Sequence, residues 1–151
     1  MALIVHKYGG TSMGSVERIA NVAKRVAKWM RAGHQVVVVP SAMSGETNRL
    51  LGLAKEINPN PSPRELDQIA STGEQVSSGL LALALMREGI DAVSYAGWQV
   101  TVHTDSSFTK ARIKSIDDQK ILTEMEFDQL ISHSDERVKR LFPKNESIIN
   151  N

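Results

Sequence analysis

Four consecutive valines constrain the fold of this chain more than any other feature. They lie within Gln35–Pro40, a run in which apolar and polar side chains do not alternate. Such a run is typical of a strand in a parallel sheet that is covered on both faces. Another apolar run, residues 2–6, precedes it, and the segment between them repeats apolar residues every three or four positions, as an amphipathic helix does. The order strand, helix, strand predicts a right-handed βαβ unit.

Capping and turn residues predict where the elements begin and end. Ser15 is a favourable N-cap for the first helix, which we expect to end at about Met30, before Gly33. A corner at Ser71–Gly73 is expected to separate two later helices. The further helices are predicted over residues 49–57, 64–70 and 74–88, and the further strands over residues 91–95 and 99–104.

The composition argues against several classes of protein. The 151 residues include 18 Lys and Arg and 17 Asp and Glu, a formal net charge of +1, so a dedicated nucleic-acid or membrane-surface protein is not expected. The chain has no cysteine, which excludes disulfides, thiolate zinc sites and a cysteine nucleophile. The histidines lack metal-ligand spacing, and no apolar run approaches the roughly 20 residues of a membrane helix. With no recognisable signal peptide, we predict a cytoplasmic protein without a protein-bound metal site.

The glycines restrict where an anion can bind. All 10 glycines lie before residue 98, and phosphate loops need glycine because backbone amides must approach the anion closely. The first candidate is KYGGTS, Lys7–Ser12, at the carboxyl end of the first strand, where ligands bind in open α/β sheets. Gly9 and Gly14 have P-loop spacing, but Ser15 stands where that motif requires lysine. A plain glycine turn with a solvated Lys7 is the alternative interpretation.

Two further segments carry polar groups suited to a ligand. SAMSGETN, Ser41–Asn48, follows the second strand and is therefore expected at the same edge of the sheet. Its hydroxyls and amides suit a second part of the ligand, or else they only cap the next helix. STGEQ, Ser71–Gln75, contains Glu74, which either anchors the ammonium group of a substrate or is a simple partner of the helix dipole.

These segments together resemble one family. KYGGTS, VPSAMSGETN, STGEQ and TDSS followed by KARI are similar, in order and spacing, to the N-terminal half of the catalytic domain of bacterial aspartate kinases, in the amino acid kinase superfamily. The resemblance implies a three-layer α/β/α sandwich around a mostly parallel sheet, here incomplete. It also implies transfer of a phosphoryl group from ATP, with Mg²⁺, to the side-chain carboxylate of L-aspartate, the first step of the lysine, threonine and methionine pathway.

The resemblance assigns roles to seven residues. Lys7 is expected to neutralise charge on the transferring phosphoryl group, and Glu74 is expected to bind the α-ammonium group of aspartate beside Thr47. The residues expected to contact the nucleotide are Lys7, Tyr8, Gly9, Gly10 and Ser41. Phosphoryl transfer depends mainly on positioning and on stabilisation of spread charge, so no covalent nucleophile is expected.

The resemblance ends at about Ile121. The GRGGSD-type and TDVDG-type segments of the family are absent, and no glycine follows Gly97. We therefore divide the chain into residues 1–121, the N-terminal part of a kinase domain, and residues 122–151, a helical tail unlike the family. An incomplete site predicts that these residues alone are inactive, and an unpaired strand edge predicts a homo-oligomer. The alternatives are a non-catalytic remnant or association module, and a related kinase acting on glutamate, N-acetylglutamate or UMP.

Overall fold

The computed structural model describes residues 1–117, 119–123 and 125. Nearly all of the helical tail predicted for residues 122–151 lies outside this range. The elements are β1 (Leu3–Tyr8), α1 (Val16–Arg31), β2 (Gln35–Pro40), α2 (Glu46–Ile57), α3 (Pro63–Arg87), β3 (Val102–Thr104) and β4 (Ile113–Ile116). All of them belong to one compact unit, Met1–Ile116.

The first three elements form the expected βαβ unit. β1 and β2 pair in parallel, with a register that runs from Leu3 opposite Gln35 to Tyr8 opposite Pro40. Ser15 has extended backbone angles, and its Oγ accepts the Arg18 N–H at 3.2 Å, which is the N-cap that the sequence predicted. Past α1, the chain turns at Gly33, which has a φ of +83°. The parallel βαβ unit and both of its helix boundaries are therefore confirmed.

The core lies between one face of the β1–β2 sheet and two helices. Most of its buried members are aliphatic residues of α1 and α3, and Tyr8, Val36 and Val38 of the sheet pack against them. Burying an aliphatic side chain of this size contributes about 1.5–3 kcal/mol relative to leaving it in water. The buried members of this cluster are Met13, Ile19, Val22, Ala23, Val26, Leu81 and Leu85. α1 and α3 thus fix the sheet from one side.

The opposite face of the sheet is open in the described part of the chain. Successive side chains of a strand point to opposite faces, and Leu3, Val5 and Val39 alternate with the residues that face the core. Their exposed fractions are 53%, 64% and 49%. An α/β fold with a parallel sheet is confirmed, but a third layer is not present among the described residues. Self-association through this sheet stays a prediction.

The helix α3 corrects a sequence prediction. We expected a break at Ser71–Gly73, yet Pro63–Arg87 is one helix of 25 residues. The hydroxyls of Ser71 and Thr72 donate to carbonyls three residues earlier, at 2.9 and 2.7 Å, so they are satisfied without interrupting the helix. Despite the length of α3, no helix within the described ranges is both long and apolar enough to cross a membrane.

Two strand predictions also need correction. The backbone over residues 91–95 is not a strand, although Ile90 and Ala92 pack against the core. The strand expected over residues 99–104 is shortened to β3 because residues 97–101 form turns. β3 instead pairs antiparallel with β4, which was not predicted, and the ladder contains an irregularity between His103 and Thr104.

Candidate functional site

The loops after β1 and β2 meet the middle of α3 around a cleft of about 420 Å³. Because the two strands are parallel, their carboxyl ends lie at one edge of the sheet, where open α/β sheets bind ligands. The lining residues come from both loops, from the first turn of α2 and from α3. They are Gly10, Thr11, Ser41, Ala42, Met43, Ser44, Gly45, Thr47, Asn48 and Glu74.

The first loop is a tight glycine turn anchored in the core. The Gly9 carbonyl accepts the Ser12 N–H at 3.0 Å and the Met13 N–H at 3.2 Å, and the Met13 side chain is fully buried. A β-carbon added to Gly10 would lie 3.4 Å from the Ala42 carbonyl oxygen. Glycine at this position therefore lets the backbone of the first loop approach the second loop closely.

The second loop leads into the N-terminus of α2. Gly45 is the N-cap, with a φ of +79° and without a side chain that caps the helix. The first amides of an α-helix have no partner within the helix, and the helix dipole places partial positive charge at this end. Thr47 and Asn48 lie in this first turn and line the cleft. This end of the cleft is suited to an anion such as a phosphate.

The acidic residue that opens α2 is neutralised locally. Arg49 donates two hydrogen bonds to the Glu46 carboxylate, at 2.8 and 2.7 Å. The hydrogen bond from Arg49 lowers the pKa of Glu46 below its usual value, so the carboxylate is ionised and paired at neutral pH. Glu46 is not among the residues that line the cleft. Its carboxylate is also paired with Arg49, so it adds no unpaired negative charge at the N-terminus of α2.

Glu74 of α3 also lines the cleft. Its Oε1 accepts the Ala42 N–H at 3.3 Å, which links the helix to the loop after β2. Glu74 is the only charged side chain among the residues that line the cleft. The cleft is thus lined both by a helix N-terminus without a side-chain cap and by a carboxylate, groups that suit an anionic and a cationic part of a ligand respectively.

The structure brings together four of the seven residues predicted for the site. Gly10, Ser41, Thr47 and Glu74 line the cleft, whereas Lys7, Tyr8 and Gly9 do not. Gly9 instead closes the glycine turn through its carbonyl. The roles of all seven residues stay predictions, because their placement alone does not test what they bind.

Tyr8 and Lys7 are adjacent in the sequence but differ in their surroundings. The Tyr8 side chain packs against the core, and its hydroxyl lies 3.3 Å from His6 Nδ1. Burial raises the pKa of the Tyr8 phenol, so it stays protonated at neutral pH. Lys7 is exposed on the open face of the sheet. Within the described ranges, no hydrogen bond or ion pair engages its ammonium group.

The described residues do not form a metal cage. No group of three or more His, Asp or Glu side chains in the described part of the chain could hold a metal ion. Kinases bind Mg²⁺ largely through substrate phosphates and one or two carboxylates. The predicted Mg²⁺ therefore has no dedicated ligand set among these residues, and we assign no reaction step to it.

Ser77 was not predicted from the sequence, and Gly73 was predicted only as part of a helix break. Gly73 and Ser77 lie four positions apart on α3 and are both buried. Their spacing could have revealed them. Leu81 and Leu85 continue the same face of the helix at intervals of four residues and are buried too. Small residues in a row that ends in leucines indicate a helix face on which another segment packs closely.

The contact at Gly73 gives a prediction about stability. An added β-carbon would lie 2.9 Å from Ala42 Cβ, so we expect Gly73→Ala to lower the free energy of unfolding by about 1 kcal/mol, within a range of about 0–2.5 kcal/mol. This is an overpacking cost of about 1–3 kcal/mol less the roughly 0.5–1 kcal/mol that alanine gains in a helix. Gly79→Ala is the matched control on α3, because nothing lies within 4 Å of its added β-carbon, and it should stabilise the chain.

Urea unfolding of the 151-residue chain measures both variants. Gly73→Ala combined with Ala42→Gly should recover part of the lost stability because the second change removes the clashing methyl group. Equal stabilisation by Gly73→Ala and Gly79→Ala would contradict the close packing of the loop on α3.

Comparisons with known proteins agree on one family. The model of the amino acid kinase family matches residues 2–139, a range that extends past the boundary predicted at residue 121. An aspartate kinase of Pseudomonas putida is 59% identical over 131 residues, which are 87% of this chain and 32% of that protein. An aspartokinase of Helicobacter pylori is 53% identical over 129 residues, 85% of this chain and 32% of that protein. The chain spans about a third of the length of these curated relatives.

Solved structures show the same similarity. The crystal structure of aspartate kinase from Synechocystis has 52% identity and a TM-score of 0.62, and the match covers 65% of this chain and 17% of that one. Aspartokinase III of E. coli, crystallised with aspartate and ADP, has a TM-score of 0.64 over 74% of this chain and 35% of that one. Its identity is 21%, so this second match supports the fold alone.

Proposed function

The chain belongs to the amino acid kinase family, and from that premise we propose that its cleft is part of an aspartate kinase site. In this proposal, a phosphoryl group passes from ATP to the side-chain carboxylate of L-aspartate. The observation that carries it is the meeting of both β–α loops and Glu74 around one cleft. The relatives named aspartate kinase, at 59% and 53% identity, favour this member of the family over the others.

The nucleotide phosphates belong at the end of the cleft formed by the two loops. Gly10 brings backbone there without a side chain, and the N-terminus of α2, which has no side-chain cap, adds partial positive charge. The Ser41 hydroxyl supplies a further donor beside them. Tyr8 acts indirectly in this arrangement, because its carbonyl accepts the Ser41 N–H at 2.8 Å and so joins the two loops. Gly9 also acts indirectly, because its carbonyl closes the glycine turn.

The amino acid belongs at the end of the cleft formed by α3. The Glu74 carboxylate suits the α-ammonium group of aspartate, since a hydrogen bond between charged groups is about twice as strong as a neutral one. Thr47, in the first turn of α2, also lines the cleft and provides a hydroxyl. With its ammonium group held at Glu74, aspartate can direct its side-chain carboxylate toward the phosphates.

The reaction needs no covalent intermediate with the protein. An oxygen of the side-chain carboxylate forms a bond to the γ-phosphorus while the bond from that phosphorus to the bridging oxygen of ADP breaks. The products are 4-phospho-L-aspartate and ADP. Negative charge spreads over the transferring group, so catalysis depends on alignment and on nearby positive groups. The resemblance of KYGGTS to the family assigns Lys7 to the transferring group, and the residues that line the cleft include no cationic side chain that would take the same role.

A chimera tests the substrate. In this chimera, the 131 matched residues of this chain replace the corresponding segment of the Pseudomonas putida aspartate kinase. Release of ADP is measured with aspartate, glutamate, N-acetylglutamate or UMP as acceptor. We expect turnover with aspartate and background rates with the other three. A chimera that melts cooperatively yet releases ADP no faster with aspartate than without it contradicts the proposal. Preferential turnover of another acceptor contradicts it as well.

A further inference from the structure

We infer that Ser77 is a positioning residue, which holds the loop after β2 at a fixed place relative to Glu74. The Ser77 side chain is fully buried and is not among the residues that line the cleft. Its Oγ donates to the Ser41 carbonyl at 2.8 Å. The catalytic part of this inference rests on the proposed function.

The loop contacts α3 at three neighbouring points. The Ala42 N–H donates to Glu74 at 3.3 Å, and the Ala42 methyl group fits over Gly73, where an added β-carbon would be 2.9 Å away. The Ser41 carbonyl accepts from Ser77 at 2.8 Å. Two consecutive loop residues are thus held by positions one turn apart on the same helix.

The bond from Ser77 is the shortest of the polar contacts between the loop and α3. A serine hydroxyl has a single proton to donate, and Ser77 Oγ lies closer to the Ser41 carbonyl than to the Glu74 carbonyl of its own helix, at 2.8 against 3.1 Å. The remaining polar contact, at 3.3 Å, is longer than the usual 2.9–3.0 Å of an N–H···O bond. Loss of the Ser77 hydroxyl would therefore leave the loop weakly held to α3, although the 2.8 Å bond from the Ser41 N–H to the Tyr8 carbonyl would still join it to the first loop.

The position of this loop sets the alignment of the two substrates. In the proposed function, Ser41 lies at the phosphates and Glu74 at the ammonium group of aspartate. Ser77 joins these two places without lining either, so it affects the distance between the substrates more than the affinity for each. A misplacement of about 1 Å can lower a rate by about 10²-fold. We therefore expect the effect on kcat and not on KM.

The test compares two serines of the same helix in the chimera. Ser77→Ala should lower kcat by about tenfold or more, with KM for ATP and for aspartate each changed by less than about twofold. Ser78→Ala is the matched control, because among the described residues the Ser78 hydroxyl donates to the Gln75 carbonyl of its own helix, at 3.0 Å, and not to the loop. Ser77→Cys keeps a similar volume with a weaker donor and should give an intermediate kcat, which separates the hydrogen bond from packing.

Amide hydrogen exchange of the peptide over residues 39–45 measures the loop directly. It should become faster in Ser77→Ala than in Ser78→Ala. Unchanged exchange, an unchanged kcat, or an equal loss of kcat in Ser78→Ala would overturn the inference. If Ser77→Cys matched the unmodified chimera while Ser77→Ala lost activity, packing would be the cause and the inference would fall. Absence of aspartate-dependent turnover in a folded, unmodified chimera is a different result. It overturns the proposed function and the catalytic part of this inference. The exchange data still decide whether Ser77 holds the loop.

Discussion

Lys7→Ala should lower kcat of the chimera by about 10²-fold or more, which is the scale for losing one preorganised group that stabilises developing charge. The transferring phosphoryl group spreads negative charge over its oxygens, and the residues that line the cleft offer it no cationic side chain. Lys7 lies near the end of β1, one residue before the carbonyl that joins the two loops. Its ammonium group has no ion-pair partner in the described part of the chain, so no existing pair has to be broken.

Steady-state release of ADP at saturating ATP and aspartate measures this effect. Lys24→Ala is the matched control, because Lys24 is an exposed lysine of α1 and its loss should change kcat by less than about twofold. Lys7→Arg keeps the charge with a different shape and should retain more activity than Lys7→Ala. A loss of less than about threefold in Lys7→Ala would show that another group neutralises the transferring phosphoryl group.

The sequence was sufficient for the part of the fold that local rules determine. The valine run of β2, the Ser15 cap and the turn at Gly33 each act over a few residues, and together they predicted the parallel βαβ unit. The cleft was predictable for a related reason. Parallel strands bring their following loops to one edge of the sheet, so Gly10 and Ser41 had to lie near each other once the parallel pairing was known.

The errors arose where a distant segment determines the structure. Gly73 suggested a helix break because glycine weakens helices, but its role is to admit Ala42, which lies 31 positions earlier in the sequence. Ser71 and Thr72 added to the impression of a turn, yet their hydroxyls bond within the helix. Ser77 was missed for the same reason, because its partner, the Ser41 carbonyl, is a backbone atom that no sequence motif reveals.

The resemblance to a family also could not place every side chain. Lys7 and Tyr8 belong to one motif, but alternation along β1 turns Tyr8 toward the core and Lys7 toward the open face. A motif specifies which residue types occur and how far apart they lie in the sequence. The distance from each side chain to a ligand depends on the sheet, on the helices that cover it and on the neighbouring loops. The roles of these two residues therefore require the kinetic test above.

Glu74→Gln should raise KM for aspartate by about 10- to 100-fold in the chimera and leave KM for ATP within about twofold. The expected range follows from the roughly 1.5–3 kcal/mol of a hydrogen bond to a charged group and about 1.4 kcal/mol for each tenfold change in affinity. Glutamine keeps an oxygen that can accept the Ala42 N–H, a contact of 3.3 Å in the unmodified chain. The substitution thus removes the charge while the loop can keep its link to α3.

Glu74→Ala removes the charge and the link to the loop together, so it should lower kcat in addition to raising KM for aspartate. Glu65→Ala is the matched control, because Glu65 lies on the same helix, is exposed and pairs with Arg64 outside the cleft. If Glu74→Gln left aspartate saturation unchanged while Glu74→Ala lowered kcat, Glu74 would hold the loop without binding the ammonium group. If both variants raised KM for ATP instead, the two ends of the cleft would have to be reassigned, with the nucleotide on the side of α3.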